Sequence, residues 1–187
     1  MFGKVIRDSW CSQNHYFVNM TYDNEVKTVK FVNKSPNEDP KYAHDGDSGF
    51  DLRAWICETD KGSKLNENGE YTITLEPLER RLIHTGIYVE LPKNTEAQVR
   101  SRSGLSLKQG LIVANAPGTV DYLYRNEVGV ILINLSKETV TITNGDRIAQ
   151  MVICPVYLKE LINLEKIEEV NTDTDRGLNG FGSSGVK

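Results

Sequence analysis

The apolar residues of this chain recur mostly at every second position. Val29 and Phe31 alternate with polar neighbours, as do Tyr71, Ile73 and Leu75, then Ile87, Val89 and Leu91, and later Val140 and Ile142. A period of two lines one face of a strand, whereas a period of 3.6 marks a helix. Val128 to Leu135 is nearly continuous in apolar residues, which predicts a strand covered on both faces. Turn-forming clusters break the pattern at Ser35-Pro36-Asn37, Asp45-Gly46-Asp47, Asn68-Gly69, Ala116-Pro117-Gly118 and Asn144-Gly145. Many short strands with regular turns predict an all-β sandwich or barrel.

Three stretches depart from this rhythm. Residues 1–26 are mixed in pattern and precede the first clear strand, so they read as an N-terminal appendage to a β domain over residues 27–170. Glu58 to Glu70 is polar and reads as a surface hairpin loop. Leu158 to Val170 has the composition of a helix, but its place before a polar tail predicts the start of an extended arm. Residues 171–187, with Gly177, Gly180, Gly182 and Gly185, form a flexible glycine-rich arm.

Composition narrows the partners. A chain of 187 residues suits one sizeable core, and its net charge of −4 gives no basic footprint for nucleic acid. No apolar run is long enough to span a bilayer, and the N-terminus lacks the apolar core of a signal peptide. Cys11, Cys57 and Cys154 are odd in number and widely spaced, as expected of reduced, mostly packed thiols in a cytoplasmic protein. His15, His44 and His84 stand apart without a second ligand at metal spacing and read as structural or surface residues.

Five segments concentrate chemistry among the strands. In Gly46-Asp47-Ser48-Gly49-Phe50-Asp51-Leu52-Arg53-Ala54, a tight turn leads into a strand that holds Asp51. Arg100-Ser101-Arg102-Ser103-Gly104-Leu105 reads as a basic turn, and its guanidinium forks, hydroxyls and glycine suit phosphate. In Asn115-Ala116-Pro117-Gly118-Thr119-Val120-Asp121, Pro-Gly predicts a hairpin with Asp121 just past its tip. Tyr124 follows three residues later, so a carboxylate beside an aromatic ring could serve as general base next to a ring substrate. Asn144-Gly145-Asp146-Arg147-Ile148-Ala149-Gln150-Met151 predicts a turn and a strand with Ile148 and Gln150 on one face and Arg147, Ala149 and Met151 on the other. Arg176-Gly177-Leu178-Asn179-Gly180-Phe181-Gly182-Ser183-Ser184-Gly185 resembles a phosphate-cradling loop but lacks the Gly-Lys-Ser/Thr of a P-loop. Taken singly, each segment also has an ordinary reading: a capped turn, a solvated basic turn, a surface Asp, a glutamine bonded to backbone, a linker.

In their order and spacing the five segments resemble the motifs of the trimeric all-β dUTPases, over about residues 27–187. The third departs at Leu123 and Asn126 but keeps Asp121, Tyr124, Arg125 and Glu127; the fifth departs at Leu178-Asn179 and at Ser184. The resemblance implies a distorted jelly-roll-like β-barrel of the β-clip type, a homotrimer with a mobile C-terminal arm shared between subunits, and dUTP as substrate. It implies Asp121 as the base that activates water, and Mg²⁺ held by the phosphates with Asp51 reaching it through water. Arg102, Ser103, Gly104 and Gln150 would hold the α- and β-phosphates. Asn115 and the backbone of Gly118, Thr119 and Val120 would read uracil, with Tyr124 beneath the deoxyribose. Arg176, Gly182, Ser183 and Ser184 would close over the γ-phosphate while Phe181 stacks on the base. A bacterium, or a phage in its host cytoplasm, is the expected setting, and residues 1–26 could bind a protein partner. The related fold of dCTP deaminase is the nearest rival, but its Ser-Ser-x-x-Arg segment and Trp-containing third motif are absent. A non-catalytic regulatory member is the other alternative.

Overall fold

The computed structural model describes residues 26–180 and Ser183. Almost all regular structure in it is strand. β1 (Lys30–Asn33), β2 (Gly49–Arg53), β3 (Lys64–Leu65), β4 (Tyr71–Leu75), β5 (Arg80–Ile83), β6 (Ile87–Glu90) and β7 (Thr95–Arg100) come first. One helix, α1 (Ser103–Gln109), intervenes before β8 (Leu111–Val113), β9 (Gly118–Asp121), β10 (Val130–Asn134), β11 (Val140–Thr143) and β12 (Arg147–Pro155). The strands form four antiparallel sheets, ordered β2-β12-β7-β9, β5-β10-β8, β11-β4-β3 and β1-β6. The sheets wrap one core that includes Leu52, Leu75, Ile83, Val130, Leu132, Ile142 and Met151. This is a jelly-roll-like arrangement, built of small sheets rather than of one continuous closed barrel.

The alternation of the sequence maps directly onto burial. Ile73 and Leu75 of β4, Ile87 and Val89 of β6, and Val140 and Ile142 of β11 all face the core. Asn134 is fully buried between β10 and the following turn, and its amide is satisfied on every side. It donates to Leu75 O and Glu138 O at 2.9 and 2.7 Å and accepts from the Ser136 N–H and hydroxyl. A buried amide bonded in this way fixes the turn without a desolvation penalty.

Several expectations change. Val128 to Leu135 is not covered on both faces: Val130 and Leu132 point inward while Ile131 and Leu135 are exposed, because no other element among the described residues lies over that outer face. The strict alternation around Gln150 fails at a bulge between Arg147 and Ala149, which turns both Ile148 and Ala149 into the core. The Arg102-Ser103-Gly104 turn opens α1, which ends at Gly110 in the left-handed conformation with φ of 64°. The turn after β8 is no hairpin: β8 pairs with β10, whereas β9 pairs with β7, so the chain crosses between sheets there.

Two of the remaining stretches behave as expected, while the cysteines do not. Within residues 58–70, β3 folds back on β4. Leu158 to Val170 forms no helix, and Leu161, Leu164, Ile167 and Val170 are exposed, since no described residue covers an apolar helical face there. Cys57 and Cys154 are free thiols, half-buried rather than packed. His44 is exposed and His84 pairs with Glu127. Among the described residues no helix is long and apolar enough to cross a membrane. Residues 1–25, with Cys11 and His15, lie outside the described residues, as do Phe181, Gly182 and Ser184.

Candidate functional site

The four-stranded sheet sets the first, second and fourth segments side by side. Gln150 of β12 stands opposite Asp51 on β2 and opposite Arg100 on β7. Gln150 Nε2 donates to Ser101 O at 2.9 Å, and the Ser101 hydroxyl accepts the Val113 N–H at 2.9 Å. The backbone between β7 and α1 is therefore held at two points. Gly49 allows β2 to lie this close: a Cβ there would sit 2.9 Å from Met151 O.

Asp51 is bracketed by two arginines. Arg102 Nε donates to Asp51 Oδ1 at 2.7 Å, and Arg147 Nη1 to Asp51 Oδ2 at 3.2 Å. Arg102 Nη1 also donates to Arg147 O at 3.2 Å. Above this cluster opens a cleft of about 300 Å³ lined by Asp47, Ser48, Gly49, Asp51, Arg102, Ser103, Gly104 and Gln150, with Lys41 at its rim. Hydroxyls, cationic side chains and the start of α1 give it the donors that an anion requires.

The third segment lies elsewhere on the chain. β9 is the outer strand of its sheet, so its far edge makes no strand pairing among the described residues. Gly118 and Val120 are buried, and Thr119 and Asp121 face outward. The Asn115 side chain packs over Gly118, its Nδ2 being 3.0 Å from where a Cβ would stand. Beyond Asp121 the chain is tightly tied. The Tyr124 N–H donates to Asp121 O at 3.0 Å and the Tyr124 hydroxyl to Glu127 O at 2.8 Å. Arg125 Nη1 donates to the carbonyls of Tyr122 and Tyr124.

Glu127 anchors the end of this segment. Its Oε1 accepts the N–H groups of Thr85 and Gly86 at 2.9 and 2.7 Å, and its Oε2 pairs with His84 Nδ1 at 2.9 Å. Burial opposes its charge, but the bonds from Gly86, His84 and Thr85, with the attraction of His84, prevail and hold the carboxyl below its ordinary range. Neither this clamp nor the Arg147–Asp51 pair follows from the motifs alone. The visible signals were only that Glu127 and Arg147 stand inside them.

Register separates Asp121 from the cleft. Asp121 faces Glu96 and Gln150 faces Arg100, four residues further along β7. At about 3.3 Å per residue and about 4.8 Å per strand, Asp121 lies roughly 16 Å from Gln150, backbone to backbone. One chain thus unites Asp51, Arg102, Ser103, Gly104 and Gln150 in the cleft, whereas Asp121 stands apart and none of Asn115, Gly118, Thr119, Val120 or Tyr124 lines it. Among the described arm residues none lines the cleft: Arg176 Nε bonds to Asn179 O in its own turn, and the Ser183 N–H bonds to Gly180 O. Among the described residues no three His, Cys, Asp or Glu side chains cluster as a metal site.

The dUTPase family profile matches residues 68–185. The chain is 50% identical over 147 residues to the deoxyuridine 5'-triphosphate nucleotidohydrolase of Clostridium novyi, covering 79% of this chain and 90% of that protein. It is 44% identical over 162 residues to the protein of the same name from Cytophaga hutchinsonii, covering 87% and 94%. Among solved structures it is similar to a mutant dUTPase of Staphylococcus bacteriophage 80alpha with dUpNHpp, with a TM-score of 0.69 and 26% identity, covering 85% of this chain and 99% of that one.

Proposed function

This chain belongs to the dUTPase family, and on that premise we propose that it is a dUTP diphosphatase, cleaving dUTP to dUMP and pyrophosphate by attack of water on the α-phosphorus. The observation that carries this reading is the cleft in which Asp51, Arg102, Ser103, Gly104 and Gln150 converge. Arg102, the Ser103 hydroxyl, the Gly104 backbone and Gln150 bind and orient the α- and β-phosphates. Arg102 arrives already aligned by Asp51, so little ordering remains to be done when the nucleotide enters.

The active assembly is a homotrimer. The separation of Asp121 from the cleft supports it, because a neighbouring copy can deliver the third segment where its own chain does not. The exposed Ile131 and Leu82 on the outer faces of β10 and β5 are apolar surface of the kind that a subunit contact covers. In the assembled site Asp121 takes the proton of the attacking water. The unpaired edge of β9 and the Asn115 amide read the uracil edge, and cytosine, with a donor where uracil has an acceptor, leaves those groups mismatched. Tyr124, fixed through its hydroxyl, lies under the deoxyribose. Arg176, Gly182, Ser183 and Ser184 close over the γ-phosphate, and Phe181 stacks on the base.

The donor set fits Mg²⁺. Each Asp51 oxygen receives one guanidinium bond and keeps a lone pair for water. Asp51, with no three-ligand cluster among the described residues, suits an ion that keeps its waters and is held mainly by phosphates. When bound, Mg²⁺ supplies neutralisation of the phosphate charge. In the cell, a cytoplasmic enzyme of this kind limits uracil in DNA and supplies dUMP for dTMP synthesis.

Pyrophosphate release from dUTP, with dTTP and dCTP as controls, tests this function. Selective turnover of dUTP is the expected result. Ammonia release from dCTP would instead indicate a deaminase, and no turnover of any nucleotide would indicate a binding protein.

A further inference from the structure

We infer that Lys41 is an additional substrate-binding residue, whose ammonium meets the outer phosphates of the bound nucleoside triphosphate. The inference rests on the phosphate cleft proposed above and adds a residue outside the five segments.

Charge in the cleft is unevenly committed. Arg102 is bound to Asp51 at 2.7 Å and to Arg147 O, so its position is set by the protein. Asp47 is occupied as well, its Oδ2 accepting the His44 N–H at 2.9 Å. Lys41 lines the same cleft as Asp47, Ser48, Gly49, Ser103 and Gly104. Among the described residues lining the cleft, Lys41 and Arg102 carry the positive charges, and Lys41 is the one not held to a fixed geometry.

Among the described residues, its one ion pair is loose. Lys41 Nζ stands 3.6 Å from Glu38 Oε2, with the side chains 73% and 62% exposed. That same oxygen is held more closely by Arg53 Nη2, at 3.1 Å. Glu38 therefore keeps a partner if Lys41 leaves, and an exposed pair of this kind contributes little to stability. A triphosphate brings several negative charges into a cleft where Asp51 already faces two arginines and Asp47 accepts a backbone N–H. Arg102, Ser103, Gly104 and Gln150 are assigned to the inner phosphates above. Lys41, the other cation lining the cleft, is left for the outer ones. A lysine suits this role, because a point charge on a flexible stem follows phosphate oxygens without demanding one orientation.

The test compares ligands that differ only in those phosphates. Dissociation constants for dUpNHpp and for dUMP are measured with Mg²⁺ on the full-length wild type, Lys41→Ala and Lys41→Arg, at low and high salt. Lys41→Ala should weaken dUpNHpp binding about tenfold, as expected for loss of a charge-assisted bond, and leave dUMP within about twofold. Lys41→Arg should retain most of the affinity, and the gap between wild type and Lys41→Ala should narrow as salt rises. Equal weakening of both ligands, or unchanged dUpNHpp affinity, would overturn the inference while leaving the cleft assignment intact. A wild type that binds neither nucleotide would overturn the phosphate-cleft reading, and the role of Lys41 with it.

Discussion

Replacing Glu127 with alanine tests the clamp that holds the third segment in place. The side chain is 19% exposed and bonds to two backbone N–H groups and one imidazole. Alanine leaves the Thr85 and Gly86 donors without an acceptor, at about 1–3 kcal/mol for each fully buried group. Because water reaches one side of the carboxylate, a total of about 2–4 kcal/mol is expected. The direction of the Glu127 shift adds a pH signature. A carboxyl whose folded pKa is lowered contributes stability that is fully present above its unfolded pKa and is lost as pH falls through the folded value. Urea unfolding of wild type and Glu127→Gln, at equal protein concentration, should therefore show a constant gap near neutrality that shrinks as pH falls below about 4.3, the ordinary glutamate value. Turnover should fall as well, since Asp121 and Tyr124 lie on the segment that Glu127 anchors. A Glu127→Ala protein within about 0.5 kcal/mol of wild type would refute the clamp, because that is the scatter of neutral surface changes. A glutamine gap that ignores pH would refute the charge argument.

Three further outcomes are expected. Asp121→Asn should still bind dUpNHpp while kcat drops about 10²- to 10⁴-fold, the usual worth of a positioned base; near-normal kcat would remove Asp121 from that role. Deleting residues 176–187 should lower kcat sharply while light scattering reports an unchanged assembly, and an intact rate would rule out the arm as a lid. Asn134→Ala should lower the urea midpoint by the equivalent of about 2–4 kcal/mol, since it strands buried partners on both sides; an unshifted midpoint would contradict the network.

Much of the fold was legible because alternation and burial have the same cause. Tyr71-Thr72-Ile73-Thr74-Leu75 can bury Ile73 and Leu75 together only as a strand. Where the sequence misled, a second force was at work. Arg100 to Leu105 reads as a basic turn, yet Ser103, Gly104 and Leu105 open α1, which runs on to Gln109. Pro117-Gly118 marks where the chain reverses but does not say which strand it meets next, so β9 pairs with β7 and not with β8. The apolar run of β10 suggests cover on both sides, and one chain provides cover on only one. The cleft residues were readable from their motifs. The Arg147–Asp51 pair was not, because it joins residues 96 positions apart.

Subunit complementation tests most directly whether the site is shared between chains. Asp121→Asn and Gln150→Ala proteins, each of low activity alone, are mixed, unfolded and refolded together, and pyrophosphate release from dUTP is measured. If one subunit supplies Asp121 and another the cleft, random mixing at equal amounts gives intact pairs at roughly a quarter of sites, one half times one half. Recovery of activity toward that fraction is predicted. A mixture no more active than its separate components would place the whole site within one chain and contradict the account.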